Sequence, residues 1–159
     1  MTARDSADAA ALPYLRRRRL ARASALRFLY QADLNGSWEA DESALKFLWE
    51  QLGKLEDASD PRDLAACRGF AEKLIAGVVA HRGELDARIG AAAENWSLER
   101  MGIVDRNILR LAAYEILLGE GDAPPLAALN EAIELAKEFS DKDSPRFVNG
   151  ILDQLVKKK

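Results

Sequence analysis

Apolar residues recur every three or four positions along most of the chain, and this spacing limits the fold to helices. The clearest case is the stretch 104–118, where apolar side chains occupy nearly every face of the predicted helix. No segment shows the strict apolar and polar alternation of a half-buried strand. A chain of 159 residues is ordinarily one domain and can bury a core. The sequence therefore predicts an all-α single domain over 15–159, with 104–118 as its central, buried helix.

Capping and helix-breaking residues set the predicted helix boundaries. Asn35-Gly36 supplies the stop for a first helix over 15–34, which follows a flexible tail over 1–14. Side chains that can cap a helix precede three others: Asp41, Asp60 followed by Pro61, and Ser144 followed by Pro145. About seven helical segments result, with a short turn over 97–101. A long helix begins at 61, breaks or bends at Gly83 and continues past 85 as a second segment. The other five segments are 15–34, 41–55, 104–118, 126–139 and 144–156. Residues 56–60 and 119–125 are predicted loops.

The strongest charge feature is a block of six arginines between positions 16 and 27 that contains no acidic residue. Residues 1–35 carry a net charge of +4 in a chain whose formal net charge is −3, which leaves −7 for the rest. A concentrated basic end on an acidic body indicates a local contact with a polyanion. Arginine grips phosphates with a planar fork and stacks on bases, so nucleic acid is the first expectation. A solvated charge run, a nuclear-import signal and a membrane-surface patch are the alternatives.

The apolar stripe of the first helix becomes cationic toward its N-terminus. Leu26, Leu29 and Tyr30 share one face, and stepping back from Leu26 by four residues reaches Arg22 and then Arg18. A buried stripe is not expected to continue as arginine. We therefore expect the first turns to project beyond the body of the protein, or to stay disordered until an anion binds.

The residues that enzymes and metal sites need are scarce. Cys67 is the only cysteine and His81 the only histidine, so neither an intrachain disulfide nor a structural zinc site of the usual kinds can form. Cys67 is expected to be a small core residue. The sequence has no glycine-rich phosphate loop, no apolar run near the roughly 18 residues of a membrane span, and no apolar signal-peptide region. We expect no enzyme activity, no cofactor, no metal and a cytoplasmic location.

A second candidate site lies at the start of the last predicted helix. Free backbone N–H groups there attract anions, Arg146 adds a positive charge, and Phe147 offers a flat ring on which a base could stack. The alternative is that Phe147 packs in the core. Because the apolar stripe over 148–155 can bury this helix without Phe147, we expect the ring to be at least partly exposed.

Several stretches of the chain resemble a known bacterial family. Residues 130–137 (Asn-Glu-Ala-Ile-Glu-Leu-Ala-Lys) and 143–153 (Asp-Ser-Pro-Arg-Phe-Val-Asn-Gly-Ile-Leu-Asp) closely resemble the NusB family of antitermination factors. Residues 96–101 and 104–115 are similar to the same family. The arginine block and the residues that follow it, to position 31, resemble the family's arginine-rich RNA-binding motif. The resemblance spans residues 16–156, nearly the whole chain.

This resemblance implies two small helical bundles packed side by side and a protein that is not an enzyme. It also implies binding of single-stranded boxA RNA together with NusE, a small-subunit ribosomal protein. Assembly with NusA, NusG and RNA polymerase would then suppress termination, notably in ribosomal RNA operons. The RNA-binding positions implied are Arg16, Arg17, Arg18, Arg19, Arg22, Arg27, Tyr30, Asp143, Ser144, Arg146 and Phe147. Arg16 and Arg17 extend the family motif, and Arg27 stands where glutamine is common in relatives.

One alternative from another class stays open. Some members of the resembled family self-associate, so the chain could be a homodimeric helical adaptor that uses its acidic body for contacts and binds RNA weakly alone. We expect the −7 body to present a surface for NusE that is separate from the arginine block.

Overall fold

The fold is built from helices alone over the residues that the computed structural model describes, which are 3–55, 60–94, 96–119 and 123–158, with side chains described from residue 13 onward. The helices are α1 (Ala3–Asn35), α2 (Glu42–Gly53), α3 (Pro61–Ala92), α4 (Ile103–Ala113), α5 (Pro125–Phe139) and α6 (Ser144–Lys157). A 3-10 turn (Leu98–Arg100) precedes α4, and a π-helical turn (Tyr114–Leu118) continues it. The predicted all-α class is confirmed. The predicted loops at 56–60 and 119–125 lie partly outside the described residues.

Local capping explains several of the helix ends. The Asp41 carboxylate accepts a hydrogen bond from the Ala44 N–H at 2.8 Å, which satisfies a donor that the first turn of α2 leaves unpaired. Asp60 caps α3 in the same way, with proline at the next position. Gly36 ends α1 with a φ of 68°, and the N–H that follows it donates to the carbonyl of Ala32. These three predicted boundaries are confirmed.

The start of α1 differs from the prediction. The helix begins at Ala3 and not at Leu15, and Pro13 lies inside it. The predicted tail over 1–14 is small and polar and has Pro13 near its end. Proline inside a helix removes one backbone donor and crowds the preceding turn. That local cost does not end the helix here, where the surrounding residues include several alanines, the strongest helix formers. The mobility of the segment 1–14 in solution stays a prediction.

The bend in α3 also lies at an unpredicted residue. His81 has a φ of −111° and a ψ of 16°, outside the helical range, whereas the prediction places the break or bend at Gly83. The His81 ring stacks on Tyr114 with 6.3 Å between centroids, and its Nδ1 lies 3.6 Å from the carboxylate of Glu84. The bend therefore coincides with the contact between His81 and Tyr114 of the π-helical turn. Gly83 is not the bent residue, so the bend does not depend on the conformational freedom of glycine.

α4 is the centre of the core, as predicted. Seven consecutive residues of α4 are buried: Asn107, Ile108, Leu109, Arg110, Leu111, Ala112 and Ala113. α1 packs mainly on α3, α5 packs mainly on α6, and α4 touches all four of these helices. Most of the buried apolar residues of these helices form one shared hydrophobic core around α4, and the division into two bundles stays a prediction. Among the residues described, no helix combines the length and apolar character that crossing a bilayer demands.

Candidate nucleic-acid interface

The arginine block lies on α1, and its side chains divide between two neighbouring helices. Arg16 and Arg17 reach α3, where Arg17 Nε donates to Asp63 at 3.1 Å and Arg16 Nη2 lies 3.4 Å from the same carboxylate. Arg19 reaches α5, where its Nε donates to both carboxylate oxygens of Glu131 at 3.0 and 3.2 Å. Successive residues of a helix point about 100° apart. The block therefore presents two faces and not a single one.

Arg18 lies on an aromatic surface. Its guanidinium carbon is 3.7 Å from the centroid of the Phe70 ring on α3, and its Nε donates to the hydroxyl of Tyr14 at 2.9 Å. A guanidinium that stacks on a ring keeps the donors on its edge, which are the ones that contact phosphate. The plane of Arg18 is thus held in place while part of its edge stays accessible.

Arg22 points into the protein. Its side chain is 7% exposed, and Nε and Nη2 donate to the two carboxylate oxygens of Glu115 at 2.9 and 2.8 Å. The expectation that the first turns project beyond the body is wrong for Arg22. Arg22 continues the buried face of α1 because the Glu115 carboxylate, on the π-helical turn, accepts two hydrogen bonds from its guanidinium. The guanidinium of Arg22 is therefore bound to Glu115 inside the fold.

Two side-chain contacts join α1 to α5 and occur in the same order along both helices; we call the surface that they mark, together with the start of α6, the strip. Arg19 contacts Glu131, and eight residues further along both helices the guanidinium of Arg27 lies 5.8 Å from the centroid of the Phe139 ring. Eight residues of helix span about 12 Å. The Arg19 side chain is 61% exposed and Arg27 is exposed as well. Two cations therefore mark a line from the arginine block to the C-terminal end of α5.

The strip continues past Phe139, the last residue of α5, to the first turn of α6. The prediction that Ser144 caps α6 is wrong, because the helix begins at Ser144 itself. Ser144 is 4% exposed, and its hydroxyl donates to the Asp105 carboxylate at 3.0 Å. Ser140 donates to the other oxygen of that carboxylate. Asp143 stands at the cap position, exposed, and its side chain caps no backbone donor. Asp105 thus ties the end of α5 and the start of α6 to α4.

Phe147 is half-buried, which confirms the expected partial exposure. Its ring meets Trp96 edge-on, with 6.3 Å between the centroids and 74° between the planes, and Trp96 is 55% exposed. Arg146 is exposed on the same turn of α6, and Tyr30 is 38% exposed on α1. An aromatic pair and an arginine therefore lie together at the surface where α6 begins.

The predicted residues thus separate into three groups. Those on or next to the strip along α1, α5 and the start of α6 are Arg19, Arg27, Asp143, Arg146 and Phe147, with Tyr30 exposed on α1. Those directed to α3 are Arg16, Arg17 and Arg18. Arg22 and Ser144 are buried.

Sequence reasoning missed the carboxylates that hold these side chains. In the sequence, Glu131 and Glu134 share a predicted helix face with Lys137 and Glu138, a pattern that predicts a solvated face with local ion pairs. Glu134 and Lys137 do pair locally at 3.2 Å, but Glu131 bonds Arg19, which is 112 residues away in the chain. No local pattern indicates a partner at that separation. Trp96 was also missed as part of the site, and its only signal is an aromatic residue beside the short turn that leads into α4.

Cys67 matches its predicted role as a small core residue. It is 2% exposed and packs with Ala21 of α1 and Ala71 of α3. Burial raises the pKa of its thiol, which disfavours the reactive thiolate. Within the described ranges, no group of three or more acidic, histidine or cysteine side chains is placed to hold a metal ion.

Comparison with known sequences links this geometry to one family. The model of the NusB family matches residues 19–157. The transcription antitermination protein NusB of Elusimicrobium minutum is 46% identical over 142 residues, which cover 89% of this chain and 94% of that protein. The protein of the same description from Geobacter sulfurreducens is 46% identical over 139 residues, covering 87% and 93% of the two chains.

Solved structures agree with these sequence relationships. A structure of T. maritima NusB has a TM-score of 0.70 and 35% identity, and the match covers 89% of this chain and 91% of that one. A crystal structure of antitermination factors NusB and NusE in complex with dsRNA has a TM-score of 0.73 and 28% identity, covering 91% and 98%.

Proposed function

The chain belongs to the NusB family of transcription antitermination proteins, and we propose that it acts by binding the single-stranded boxA element of nascent RNA together with NusE. In this proposal the pair joins NusA, NusG and RNA polymerase in the cytoplasm and suppresses termination, notably in ribosomal RNA operons. The family consists of regulatory proteins and not of enzymes.

The observation that carries the proposal is the exposed strip along α1, α5 and the start of α6. Arg19 and Arg27, about 12 Å apart along α1, offer guanidinium groups to two phosphates of one strand, and the half-buried ring of Phe147 lies where the strip ends. Phosphate contacts supply affinity and register, whereas a ring that stacks on an unpaired base selects single strands. The strip has arginines along α1 and an aromatic surface at the start of α6. This arrangement suits a single-stranded RNA, whose phosphates would contact the arginines while an unpaired base stacks on the ring.

Support for NusE as the partner comes from the related structure that contains NusB, NusE and dsRNA together. The chain outside residues 1–35 carries a net charge of −7, which complements a basic ribosomal protein. We place the NusE surface on this acidic body, apart from the arginine block.

The RNA part of the proposal is tested with the double variant R19A/R27A. Both side chains are exposed, so the fold should survive, and binding of a boxA RNA should weaken because two phosphate contacts are lost. The control is K46A/K54A, which removes two exposed cations from α2 and the residue after it. Affinities are measured for boxA and for a scrambled RNA of the same composition, with and without NusE. Equal affinity of the wild-type chain for both RNAs in the presence of NusE would contradict boxA recognition.

The NusE part is tested with R16A/R17A/R19A. Deleting residues 1–22 is unsuitable, because Arg22 and Ala21 belong to the buried interior. We expect a one-to-one complex with NusE that survives the three substitutions, measured by sedimentation. Loss of the complex would mean that the two surfaces overlap. A two-to-one or two-to-two assembly would instead support the homodimeric adaptor.

A further inference from the structure

The arginine block is partly neutralised by carboxylates of the same chain. Asp63 in the first turn of α3 faces Arg16 and Arg17, and Glu131 in α5 faces Arg19. Each acidic residue comes from a helix other than α1. Three arginines that could contact RNA therefore already face an anion.

The carboxylates lie beneath the arginines. The side chain of Asp63 is 16% exposed, whereas those of Arg16 and Arg17 are 67% and 44% exposed. The same holds on the other face, where Glu131 is 19% exposed and Arg19 is 61% exposed. An RNA strand that approaches from solvent meets the arginines first, and each negative charge stays behind them.

Both carboxylates accept hydrogen bonds from arginine Nε atoms. The hydrogen bond from Arg17, together with the charges of Arg16 and Arg17, holds the pKa of Asp63 below its usual value. The hydrogen bond to Glu131 raises the pKa of Arg19, so this pair also favours its charged state. A carboxylate and a phosphate use the same guanidinium donors. The Nε donors of Arg17 and Arg19 are already bound to Asp63 and Glu131, so a phosphate must either displace these carboxylates or bind a guanidinium whose charge they partly offset.

We propose that Asp63 and Glu131 are specificity-determining residues, which lower the affinity of the arginine block for any polyanion. RNA then binds well only when base contacts, such as stacking on Phe147, add to the phosphate contacts. This inference rests on the proposed RNA-binding function.

The opposite effect, in which the carboxylates orient the arginines for RNA, is the smaller one. The arginine side chains keep 44% to 67% of their surface exposed, so the carboxylates hold them only in part and save little of the ordering that RNA binding requires. The negative charges, by contrast, repel every phosphate within a Debye length, about 10 Å at 0.1 M salt.

The test uses D63N, E131Q and the double variant, with D153N as the matched control. D153N removes one negative charge from an exposed ion pair, Asp153 with Lys157 on α6, and leaves the arginine block untouched. Affinity is measured over a range of salt concentrations for a uridine homopolymer and for boxA RNA. Circular dichroism melting checks that each variant is folded.

We expect the homopolymer affinity to rise about two- to fivefold in each single variant. The boxA affinity should rise less, so the ratio of the two affinities falls. For each additional phosphate neutralised, the slope of log affinity against log salt should steepen by about 0.7. D153N should behave like the wild-type chain.

Three results would overturn the inference: unchanged homopolymer affinity in the double variant, weaker binding of both RNAs, or an equal gain in D153N. A failure of the proposed function is distinguishable from these. In that case the wild-type chain shows no preference for boxA even with NusE, while the homopolymer gain of D63N and E131Q is measured independently.

Discussion

Arg19 and Arg22 are three residues apart and carry the same charged group, yet one side chain is 61% exposed and the other 7%. Their different partners explain this. Glu131 lies beneath Arg19 and leaves most of the Arg19 side chain in water, whereas Glu115 accepts two hydrogen bonds from Arg22 in the interior. A surface pair contributes little to stability, but removing one partner of a buried pair leaves an uncompensated charge.

The substitution R22A should therefore destabilise the fold by about 3–5 kcal/mol, because it leaves the Glu115 carboxylate buried and unpaired. Urea unfolding gives the free energy directly. R27A is the control, since Arg27 is exposed and should change stability by less than about 0.5 kcal/mol. The double variant R22M/E115L should recover much of the loss. A loss of under 1 kcal/mol for R22A would show that the pair is solvated.

Phe147 gives a second prediction, on binding. Stacking of a base on an aromatic ring contributes about 1–3 kcal/mol, so F147A should weaken boxA binding on the order of tenfold or more. F147L keeps apolar bulk without a flat ring and should melt near the wild-type temperature while still losing affinity. L152A is the comparison for a core truncation, because Leu152 is fully buried. A fall in melting temperature as large for F147A as for L152A, with normal RNA binding by F147L, would place Phe147 in the core.

At the scale of elements, two glycines of α3 occupy opposite environments. A Cβ at Gly77 would lie 2.1 to 2.6 Å from atoms of the Tyr114 ring, so the π-helical turn approaches α3 closely at that point. A Cβ at Gly69 would meet no atom within 4 Å. The close approach also brings Tyr114 to His81, where α3 bends.

G77A and G69A should thus change stability in opposite directions. G69A should stabilise the protein by about 0.5–1 kcal/mol, since alanine favours an exposed helix interior. G77A should destabilise it by about 1–3 kcal/mol, because the tyrosine ring must move. Thermal and urea unfolding of the two variants provide the comparison. Equal changes in the free energy of unfolding for G77A and G69A would mean that the contact between α3 and the π-helical turn is loose.

At the scale of the whole molecule, one polar network joins three helices around the core. Asp33 of α1 accepts hydrogen bonds from Arg106, Asn107 and Arg110 of α4, including one of 2.9 Å from Arg110 Nη1. Arg110 also donates to Asp86 of α3 at 2.7 Å. Burial by itself would raise the pKa of Asp33, but the bonds from Arg106 and Asn107 and the charge of Arg110 outweigh it, and the pKa lies below its ordinary value.

This network predicts acid sensitivity. Because the pKa of Asp33 is lower in the folded chain than in the unfolded chain, its contribution is fully present above its ordinary pKa and is lost as pH falls through the lowered value. D33N should be less stable than the wild-type chain at pH 7, and the difference should narrow below about pH 4. Urea unfolding from pH 7 to pH 2.5 measures this, with D143N, which alters an exposed side chain, as the control. A pH-independent difference would exclude Asp33 as the titrating group.

The helical content, the inner faces of α4 and α6 and the ends set by Asp41, Asp60 and Gly36 could be predicted from the sequence. These features depend on residues within about a turn of one another, so the apolar spacing and the capping residues can be recognised directly in the sequence. The arginine block and the partial exposure of Phe147 were also predictable. The first is a composition signal, and the second follows from an apolar stripe that is complete without the ring.

Only the tertiary structure decided which arginines face solvent, what Ser144 binds and where α3 bends. The partners of Arg22, Arg19 and Ser144 are 93, 112 and 39 residues away in the chain. A hydrogen bond over such a separation exists only once the helices have packed, and a carboxylate then makes it favourable to bury an arginine or a serine hydroxyl that would otherwise stay in water. The sequence by itself thus determined the helices and their family, while packing determined the direction of each charged side chain on them.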